Sequence, residues 1–494
     1  MYLLGIDLGT SSIKVAIVEV ATQKKVVTVQ YPEEETPIKS LQTGWAEQSP
    51  DEWWQNVQQA VLKLNATGLF DPKEIKAIGI AYQMHGLVVV DQKQQVLRDS
   101  IIWCDSRSVE LGNEAFETIG HDKSLKHLLN SPGNFTASKL AWVKTNEPDI
   151  YNRIDKMMLP GDFIAMKLTG EITTSISALS EGILWDFENH EISKDVLNYY
   201  GIDEQLIPTV KPLFSAHGYL KTDIAAALGL TAGIPVAYKS GDQPNNALSL
   251  NVLKPGEVAA TAGTSGVIYG VSNDLTYDKQ SRVNTFAHVT YSAEKKHTGV
   301  LLCINGTGSM YRWAKHNFAP QATYAELNQL AADAPIGSNG LKVLPFGNGA
   351  ERMLNNKYTG AQLLGIDLNT HNQSTIFRAI QEGIAFSFRY GLDIMRENGM
   401  VPKVIRAGLA NLFLSENFAQ TFVDVTSIPV ELYENDGSVG AALGAGIGAG
   451  IFNSAEEAFT QHEAIKMLSP KNSEAYEPIY QDWKAILEKE LIDR

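Results

Sequence analysis

Two Gly-Thr-Ser turns constrain the fold of this chain more than any other feature of its sequence. The first lies in DLGTSS at 7–12 and the second in TAGTSG at 261–266. Short runs rich in β-branched and apolar residues flank each turn, which predicts a strand, a turn and a second strand at both places. Because the same unit recurs near the start of each half, the sequence indicates a duplicated domain. The copies are unequal, since Asp7 precedes the first turn and Thr261 holds the matching position in the second.

Further strands and a helix extend this pattern. The segment after Ser49 has the start signals of a helix, because Ser49 can cap it, Pro50 follows, and Glu52 stands at the capping-box position. Strands alternating with helices predict an α/β architecture. The predicted strands are 2–8, 13–20, 25–31, 75–81, 87–91, 234–239, 257–262 and 267–271, and the predicted helix is 50–64.

The length of 494 residues predicts more than one domain. With the restart of the strand pattern near residue 240, we predict an N-terminal domain over 1–240 and a C-terminal domain over 241–494. The formal net charge of −15 disfavours binding to nucleic acid or to an anionic membrane. Cys104 and Cys303 lack companions at metal-binding spacing and are interpreted as thiols of a reducing cytoplasm. The N-terminus has neither a basic segment nor a long apolar run, so no signal peptide is predicted.

Two common nucleotide-binding patterns are missing from the sequence. There is no GxxxxGK[ST] motif and no GxGxxG after a first strand, which excludes a P-loop and disfavours a dinucleotide fold. In the glycine-rich run at 436–450, Ser438 is expected to cap a helix. Gly440, Gly444 and Gly448 then share one face of that helix, which indicates close packing.

The Gly-Thr-Ser turns themselves suit phosphate. Glycine lets a phosphate approach the backbone, and the exposed N–H groups and hydroxyls can donate hydrogen bonds to it. Lys14, on the strand after the first turn, could reach the same anion. Each turn could equally be an ordinary hairpin turn, but two matched copies, one beside an acid, favour a nucleotide site.

An ordered set of segments resembles the FGGY carbohydrate kinases, within the actin, hexokinase and chaperone ATPase superfamily. The resemblance runs along essentially the whole chain. It implies a two-domain actin/hexokinase-like (ribonuclease H-like) α/β fold with a duplicated βββαβαβα core and an interdomain cleft. The segments that carry it are DLGTSSIK at 7–14, WAEQSPDEWW at 45–54, GIAYQMHG at 79–86, IIWCDSR at 101–107, GNFTASKLAWV at 133–143, GDQPNNA at 241–247, GTSG at 263–266 and GNGAERMLNNKYTGAQLLGI at 347–366.

By this resemblance, the N-terminal domain carries the sugar site and the first phosphate loop. Met84, His85 and Asp105 are expected to line the sugar pocket, as in the members that phosphorylate xylulose. Histidine can donate and accept hydrogen bonds, and a carboxylate can accept from two hydroxyls. Trp103 is expected to be a core residue rather than a platform for the sugar.

The same resemblance assigns the chemistry to two carboxylates. Asp242, just after an apolar strand, is the expected catalytic base and also touches the sugar hydroxyl, whose proton it accepts as the bond to phosphorus forms. Asp7, with Asp242, is expected to hold Mg²⁺, largely through water.

The resemblance also assigns the nucleotide contacts. The residues matched to the two phosphate loops are Thr10, Ser11, Ser12 and Lys14 in the first and Thr264 in the second. Gly308 and Arg312 match positions near the nucleotide. The adenosine loop departs from the family pattern, because IRAGLANLFLSEN at 405–417 lacks consecutive glycines. Gly408 and Asn411 are placed beside the adenosine.

The implied activity is transfer of phosphate from ATP to the terminal hydroxyl of D-xylulose, giving D-xylulose 5-phosphate. Ribulose, another pentulose, gluconate or glycerol as acceptor remain open, and so does a non-catalytic sugar or nucleotide sensor or a chaperone-like ATPase. The presence of both Asp7 and Asp242 argues against a dead enzyme. Family members are often dimers, which suggests a homodimer.

Overall fold

A computed structural model of the chain describes residues 1–493 and contains two compact units. Each unit is assembled from stretches that are far apart in sequence. Unit 1 comprises Met1–Leu253, Phe286–Thr298 and Asp436–His462, and unit 2 comprises Lys254–Thr285, Gly299–Asn435 and Glu463–Arg494. The predicted division into 1–240 and 241–494, with sugar binding in one half and adenosine binding in the other, stays a prediction.

The strands are short to medium in length and many are buried. In chain order they are β1 (Tyr2–Leu8), β2 (Ile13–Glu19), β3 (Lys24–Tyr31), β4 (Glu47–Gln48), β5 (Ile75–Tyr82), β6 (Val88–Val90), β7 (Ser100–Ile101), β8 (Lys156–Met158), β9 (Thr173–Thr174), β10 (Trp185–Asp186), β11 (Glu191–Ile192), β12 (Thr209–Val210), β13 (Gly218–Tyr219), β14 (Pro235–Gly241), β15 (Glu257–Ala262), β16 (Gly266–Ser272), β17 (Asn284–Ala287), β18 (Thr298–Ile304), β19 (Lys342–Phe346), β20 (Gly360–Leu364), β21 (Val404–Gly408), β22 (Val430–Tyr433) and β23 (Lys466–Leu468).

Helices lie between about half of the consecutive strands. They are α1 (Pro50–Asn65), α2 (Val109–Ile119), α3 (His121–Leu128), α4 (Thr136–Asn146), α5 (Pro148–Tyr151), α6 (Pro160–Thr169), α7 (Ile176–Glu181), α8 (Lys194–Tyr200), α9 (Thr222–Leu228), α10 (Asp242–Ser249), α11 (Gly308–Phe318), α12 (Tyr324–Asp333), α13 (Gln373–Glu397), α14 (Glu416–Thr426), α15 (Gly437–Gly448) and α16 (Ser473–Ile492). Single 3₁₀ turns lie at Pro72–Glu74, Glu204–Leu206, Ser338–Gly340, Glu351–Leu354, Asn411–Leu414 and Glu457–Phe459.

The main sheet of unit 1 has the strand order β13-β14-β5-β1-β2-β3. β1 pairs antiparallel with β2 and parallel with β5, and β14 continues the sheet parallel to β5. The first Gly-Thr-Ser turn joins β1 to β2. The carboxyl ends of β1, β5 and β14 therefore lie at one edge of the sheet, which is where open α/β sheets bind ligands.

A second sheet repeats this arrangement around the second Gly-Thr-Ser turn. Its order is β17-β18-β16-β15-β21-β22-β23. β15 pairs antiparallel with β16 across the turn and parallel with β21, and β22 is parallel to β21. The duplication and the α/β class predicted from the two turns are confirmed.

The local sequence signals predicted the start of α1 correctly. The Ser49 hydroxyl caps α1 by accepting from the Glu52 backbone N–H, as predicted. The predicted cap of α15 is wrong, because the carboxylate of Asp436 accepts from the Ser438 N–H and Ser438 already lies in the first turn. An ionised carboxylate is the stronger acceptor at a helix N-terminus.

The glycine face of α15 packs on the sheet of unit 1, as its spacing indicated. A Cβ on Gly448 would lie 1.8 Å from the Ala237 carbonyl oxygen, and one on Gly444 would lie 2.7 Å from the Tyr238 ring. From the sheet side, a Cβ on Gly5 would lie 1.8 Å from the Ser438 carbonyl oxygen. Only glycine allows the helix and the sheet to come this close.

Each unit has its own apolar core. Trp53 and Phe163 pack in the core of unit 1, and Phe386 and Trp483 pack in that of unit 2. Cys104 and Cys303 are both thiols, as predicted. Among the residues described, no helix has the length and apolarity that a bilayer crossing requires.

Candidate active site

The first Gly-Thr-Ser turn places an acid and a lysine side by side. In the β1–β2 pairing Asp7 is opposite Lys14, and residues directly opposite in a sheet project to the same face. The turn is closed by the Gly9 N–H, which donates to the Ser12 carbonyl oxygen at 3.2 Å. Ser11 and Lys14 are exposed at this edge.

Asp7 is held against the start of α15. A Cβ on Gly437 would lie 2.4 Å from the Asp7 Oδ2, so no larger residue fits there without displacing the carboxylate. Burial and the charge of Asp436 raise the pKa of Asp7 to about 6, against the opposing effect of Lys14. Asp436 is itself held in place by Thr28, whose hydroxyl donates to its Oδ2 at 3.2 Å.

Asp242 begins α10 directly after β14. Burial and then the charge of Asp7 raise the pKa of Asp242 to about 7, although the backbone and side-chain N–H groups of Gln243 donate to its carboxylate. The two carboxylates named from the sequence therefore act on each other electrostatically. A carboxyl group with a pKa near neutrality can take up a proton in a reaction at physiological pH.

The surroundings of these carboxylates fit a divalent cation. Asn245 donates from Nδ2 to the Gly437 carbonyl oxygen at 2.9 Å, while within residues 1–493 no group donates to its buried Oδ1. The charge of Asp7 raises the pKa of Asp242, and a bound cation would offset the repulsion between the two ionised carboxylates. The described residues hold no cluster of three or more metal-ligating side chains. This donor set suits Mg²⁺, which commonly takes one or two carboxylates with phosphate and water.

His85 is fixed in an unusual backbone conformation by α4 and α7. Its φ of 62° lies in the left-handed region, which is strained for histidine. Lys139 donates to the His85 carbonyl oxygen at 2.8 Å, and the Glu181 carboxylate accepts from the His85 N–H at 3.4 Å. The ring Nδ1 lies 2.9 Å from the Glu181 carbonyl oxygen. Because a carbonyl only accepts, Nδ1 carries the proton, and Nε2 is the acceptor of the neutral ring.

Met84 brings the sugar segment next to the catalytic segment. A Cβ on Gly241 would lie 2.6 Å from the Met84 Cγ and 3.2 Å from the Glu181 Oε2. The Glu181 Oε1 accepts a 2.6 Å hydrogen bond from the Tyr82 hydroxyl. Burial raises the pKa of Glu181 well above its usual range, and the charge of Asp242 adds to this. The segment of Met84 and His85 thus adjoins Gly241, which directly precedes Asp242, and the contact of these residues with a sugar stays a prediction.

Asp105 is placed differently from the other sugar-pocket candidates. Its carboxylate is 0% exposed and accepts hydrogen bonds from the Ala46 N–H at 2.6 Å and from Arg107. Arg107 in turn stacks over Trp45, with its guanidinium carbon 3.8 Å from the ring centroid. Direct contact of Asp105 with a sugar stays a prediction, and the bonds it makes here position the Trp45 and Trp103 loops.

Trp103 was expected in the core, and that expectation is wrong. Its side chain is 45% exposed, and the indole N–H donates to the Thr10 hydroxyl at 3.0 Å. The residue follows β7 at a loop, where no apolar layer covers it. An aromatic ring with one polar edge tied down is suited to contact with a ligand.

The second Gly-Thr-Ser turn lies in unit 2 beside the start of α11. The Gly308 N–H donates to the Gly263 carbonyl oxygen at 2.8 Å, and the Ser309 N–H donates to the Thr264 carbonyl oxygen at 3.1 Å. A Cβ on Gly308 would lie 2.4 Å from the Gly263 oxygen, so glycine is required for this contact. Gly308 therefore supports the loop, and Thr264 is exposed at its tip.

The remaining nucleotide candidates also lie in unit 2. A Cβ on Gly263 would lie 3.4 Å from the Asn411 Nδ2, which places Asn411 beside the second turn. Gly408 ends β21 and its Cα faces Asn435, while Arg312 is exposed on α11. The nucleotide roles of these three residues stay predictions.

Sequence reasoning missed several residues of this site. Glu181 lies in a segment with no catalytic pattern, and Lys139 lies in the family-like segment 133–143, in which no residue was given a role. Asp436 and Gly437 are far along the chain from Asp7. The run of glycines in α15 was the one sequence signal for these contacts, since it predicts that the helix packs closely against another element. The position of that partner could not be obtained from it.

Comparison with known proteins shows which family the chain resembles. Residues 2–249 match the model of the FGGY family of carbohydrate kinases, N-terminal domain, and residues 258–450 match that of the C-terminal domain. The chain is 30% identical to the xylulose kinase of Bacillus subtilis, over 98% of this chain and 96% of that protein.

Solved structures of the same fold are similar along nearly their whole length. The xylulose kinase of Rhodospirillum rubrum matches with a TM-score of 0.90 and 25% identity, over 99% of both chains. The glycerol kinase of Plasmodium falciparum with ADP matches with a TM-score of 0.88 over 99% of this chain and 98% of that chain. At 21% identity, the second likeness shows the fold alone.

Proposed function

The chain belongs to the FGGY family of carbohydrate kinases, and from that premise we propose that it phosphorylates the terminal hydroxyl of D-xylulose. It is a sugar kinase that uses ATP. The finer proposal is that the acceptor is D-xylulose and the product D-xylulose 5-phosphate. The observation that carries it is the meeting of Met84 and His85 with the segment of Asp242 in unit 1. The choice of sugar is supported by the relatives named as xylulose kinases.

In this proposal Asp242 is the catalytic base. Its carboxylate accepts the proton of the sugar hydroxyl while that oxygen forms its bond to the γ-phosphorus of ATP and ADP leaves. A pKa of about 7 suits this role, because about half of the groups are ionised at neutral pH and the carboxylate is basic enough to hold a proton. Phosphoryl transfer needs mainly alignment and neutralised charge.

Asp7 and Asp242 would hold Mg²⁺, with Asn245 close by. When bound, the ion supplies neutralisation of the phosphate charge. Lys14, opposite Asp7 in the sheet, would add a further positive charge near the first turn. The proposal also includes the nucleotide assignments of Thr10, Ser11, Ser12, Thr264, Gly308, Arg312, Gly408 and Asn411.

His85 would recognise a hydroxyl of the sugar. Its Nδ1 donates to the Glu181 carbonyl oxygen, which fixes the orientation of the ring. Phe135 and Phe286 pack around the ring, with centroids 4.8 Å and 5.3 Å away, and restrict its rotation. An imidazole ring that is held in one orientation discriminates among sugars by the position of their hydroxyl groups.

The test is a comparison of acceptors with the whole protein. Release of ADP is measured with Mg-ATP and D-xylulose, D-ribulose, L-ribulose, D-gluconate or glycerol. We expect the highest kcat/KM for D-xylulose and a product phosphorylated at its terminal carbon. A clearly higher kcat/KM with another compound would overturn the choice of sugar. ATP hydrolysis that no sugar or polyol accelerates would overturn the proposed reaction.

A further inference from the structure

Three residues of unit 1 form a closed ring of hydrogen bonds. The Thr10 hydroxyl donates to the Gln83 Oε1 at 3.2 Å, and the Gln83 Nε2 donates to the Gln48 Oε1 at 3.2 Å. The Gln48 Nε2 closes the ring by donating to the Thr10 carbonyl oxygen at 2.8 Å. We name these three residues the Thr10 ring. Gln83 and Gln48 are 2% and 1% exposed, so the bond between them is shielded from water and thereby strengthened, whereas Thr10 is partly exposed.

Two tryptophans determine the direction of every bond in the ring. Trp53 donates to the Gln48 Oε1 at 3.1 Å, and Trp103 donates to the Thr10 hydroxyl at 3.0 Å. An indole N–H can only donate, so Gln48 must present its oxygen to Trp53. Thr10 must accept from Trp103, and its own hydrogen goes to Gln83. The single hydroxyl proton of Thr10 is therefore used inside the protein.

The Thr10 ring, together with Trp103, joins three loops of the proposed site. Thr10 is in the first phosphate loop, Gln83 directly precedes Met84 and His85, and Trp103 begins the segment that leads to Asp105. The Trp103 ring is 45% exposed, whereas Trp53 is buried. A ligand that touches Trp103 would therefore act on the Thr10 hydroxyl, while Trp53 holds the opposite side of the ring still.

We propose that the Thr10 ring couples occupation of the sugar site to the order of the first phosphate loop, with Gln83 and Gln48 as positioning residues. Sugar held by the Met84–His85 segment and against Trp103 strengthens the bonds to Thr10, and the loop then presents its N–H groups to the terminal phosphate at lower cost in entropy. The coupling is reciprocal, so the nucleotide also tightens binding of the sugar. This inference rests on the proposed function.

The experiment measures the coupling directly by calorimetry. The Kd of the non-hydrolysable analogue AMP-PNP, with Mg²⁺, is determined without sugar and with saturating D-xylulose. We expect the sugar to tighten binding to the wild type by about fivefold or more. Gln83→Met keeps the length of the side chain but can neither donate nor accept, and we expect the sugar effect to fall to about twofold or less. Equal sugar effects in Gln83→Met and the wild type would overturn the proposal, and so would the absence of a sugar effect in the wild type.

Control variants separate coupling from general damage. Gln381→Met removes another fully buried amide, bonded to Tyr311 and Asn328 in unit 2, and should keep the sugar effect. Thr10→Ser retains the hydroxyl and should keep it as well, whereas Thr10→Val should lose it. Loss of the sugar effect in Thr10→Ser or in Gln381→Met would show that the ring is not the cause and would overturn the proposal.

A failure of the proposed function looks different. In that case the wild type fails to phosphorylate D-xylulose in the ADP assay, and the calorimetry is done with the acceptor that is phosphorylated. The coupling proposal then stands or falls on Gln83→Met with that acceptor.

Discussion

Asp7 and Asp242 are coupled through their charges: after burial, the negative charge of Asp7 is the largest cause that raises the pKa of Asp242, to about 7. The pKa of Asp7 is raised to about 6, with burial first and Asp436 second among the causes. Three acids on separate elements, β1, α10 and the start of α15, thus form one electrostatic system. Its state of protonation should govern both turnover and stability.

The pH dependence of turnover follows from Asp242. As the base must be ionised, we expect kcat/KM for the sugar to fall as the pH is lowered through about 7. Asp242→Asn should lower kcat by about 10²–10⁴-fold and leave binding of the sugar nearly unchanged. Steady-state rates across this pH range are the measurement. A flat profile around neutrality, or near-normal turnover of the variant, would contradict the assignment.

Stability should show the opposite dependence on pH. The folded-state pKa values of Asp7 and Asp242 are raised, so their contribution is fully present below the ordinary value of 3.8 and is lost as the pH rises through about 6 to 7. We therefore expect Asp242→Asn to be more stable than the wild type above neutral pH, by up to about 4 kcal/mol, with the difference vanishing in acid. Urea unfolding at several pH values tests this.

A control of opposite sign is available in unit 2. Although burial opposes it, hydrogen bonding to Arg282 lowers the pKa of Asp278. Asp278→Asn should accordingly be less stable than the wild type at neutral pH.

Adding Mg²⁺ should reduce the stability advantage of Asp242→Asn over the wild type, since the ion stabilises the ionised pair of Asp7 and Asp242 in the wild type. An advantage that is unaffected by both pH and Mg²⁺ would contradict the electrostatic account.

Lys139 should control binding of the sugar. It donates to the carbonyl oxygens of His85 and Ile102, so one buried ammonium holds both sugar loops. We expect Lys139→Met to raise the KM for the sugar about tenfold, the equivalent of one lost hydrogen bond of about 1.4 kcal/mol, with a smaller change in kcat. Lys144→Met is the matched control, because Lys144 lies on the same helix and bonds to the carbonyl oxygens of Tyr200 and Gly201.

The same lysine predicts a second dependence on pH. Burial lowers the pKa of Lys139 to about 7. The charged form, which donates the stronger bonds, is lost as the pH rises through this value, so the KM for the sugar should rise on the alkaline side. Lys139→Met should lack this change. Equal KM values for Lys139→Met and Lys144→Met would show that the bonds of Lys139 to His85 and Ile102 have no role in binding the sugar.

Gly437 should be required for turnover. A methyl group there would meet the Asp7 carboxylate at 2.4 Å, so Gly437→Ala should displace Asp7 and lower kcat by about tenfold or more, as expected when charge at a reacting centre is misplaced. Gly446→Ala, on the same helix, would instead meet the side chains of Phe452 and Leu3. Both variants should lose about 1–3 kcal/mol of stability through overpacking. Normal kcat in Gly437→Ala would contradict the role of this contact.

Much of the fold was predictable because local signals and the final structure agree. The run before Asp7 forms a strand from Tyr2 to Leu8, as its pattern predicts, and Ser49 caps the helix that follows it at Pro50. Asp242 directly follows the end of β14, where an acid can face a ligand. In each case the information lies within a few residues, in turn chemistry, capping and alternation of apolar side chains.

The sequence by itself determined the two hairpins and the α/β class, since these depend on residues that are neighbours in the chain. It also led to the proposal that Asp7 and Asp242 are the reacting acids. Only the tertiary structure decided that Gly437 lies against Asp7, that Glu181 and Lys139 hold His85, and that Trp103 is exposed and bonded to Thr10. Such contacts join positions that are tens to hundreds of residues apart. They arise from how helices close over a sheet. The spacing of the glycines in α15 indicated close packing, but a spacing does not identify the element on which the helix packs.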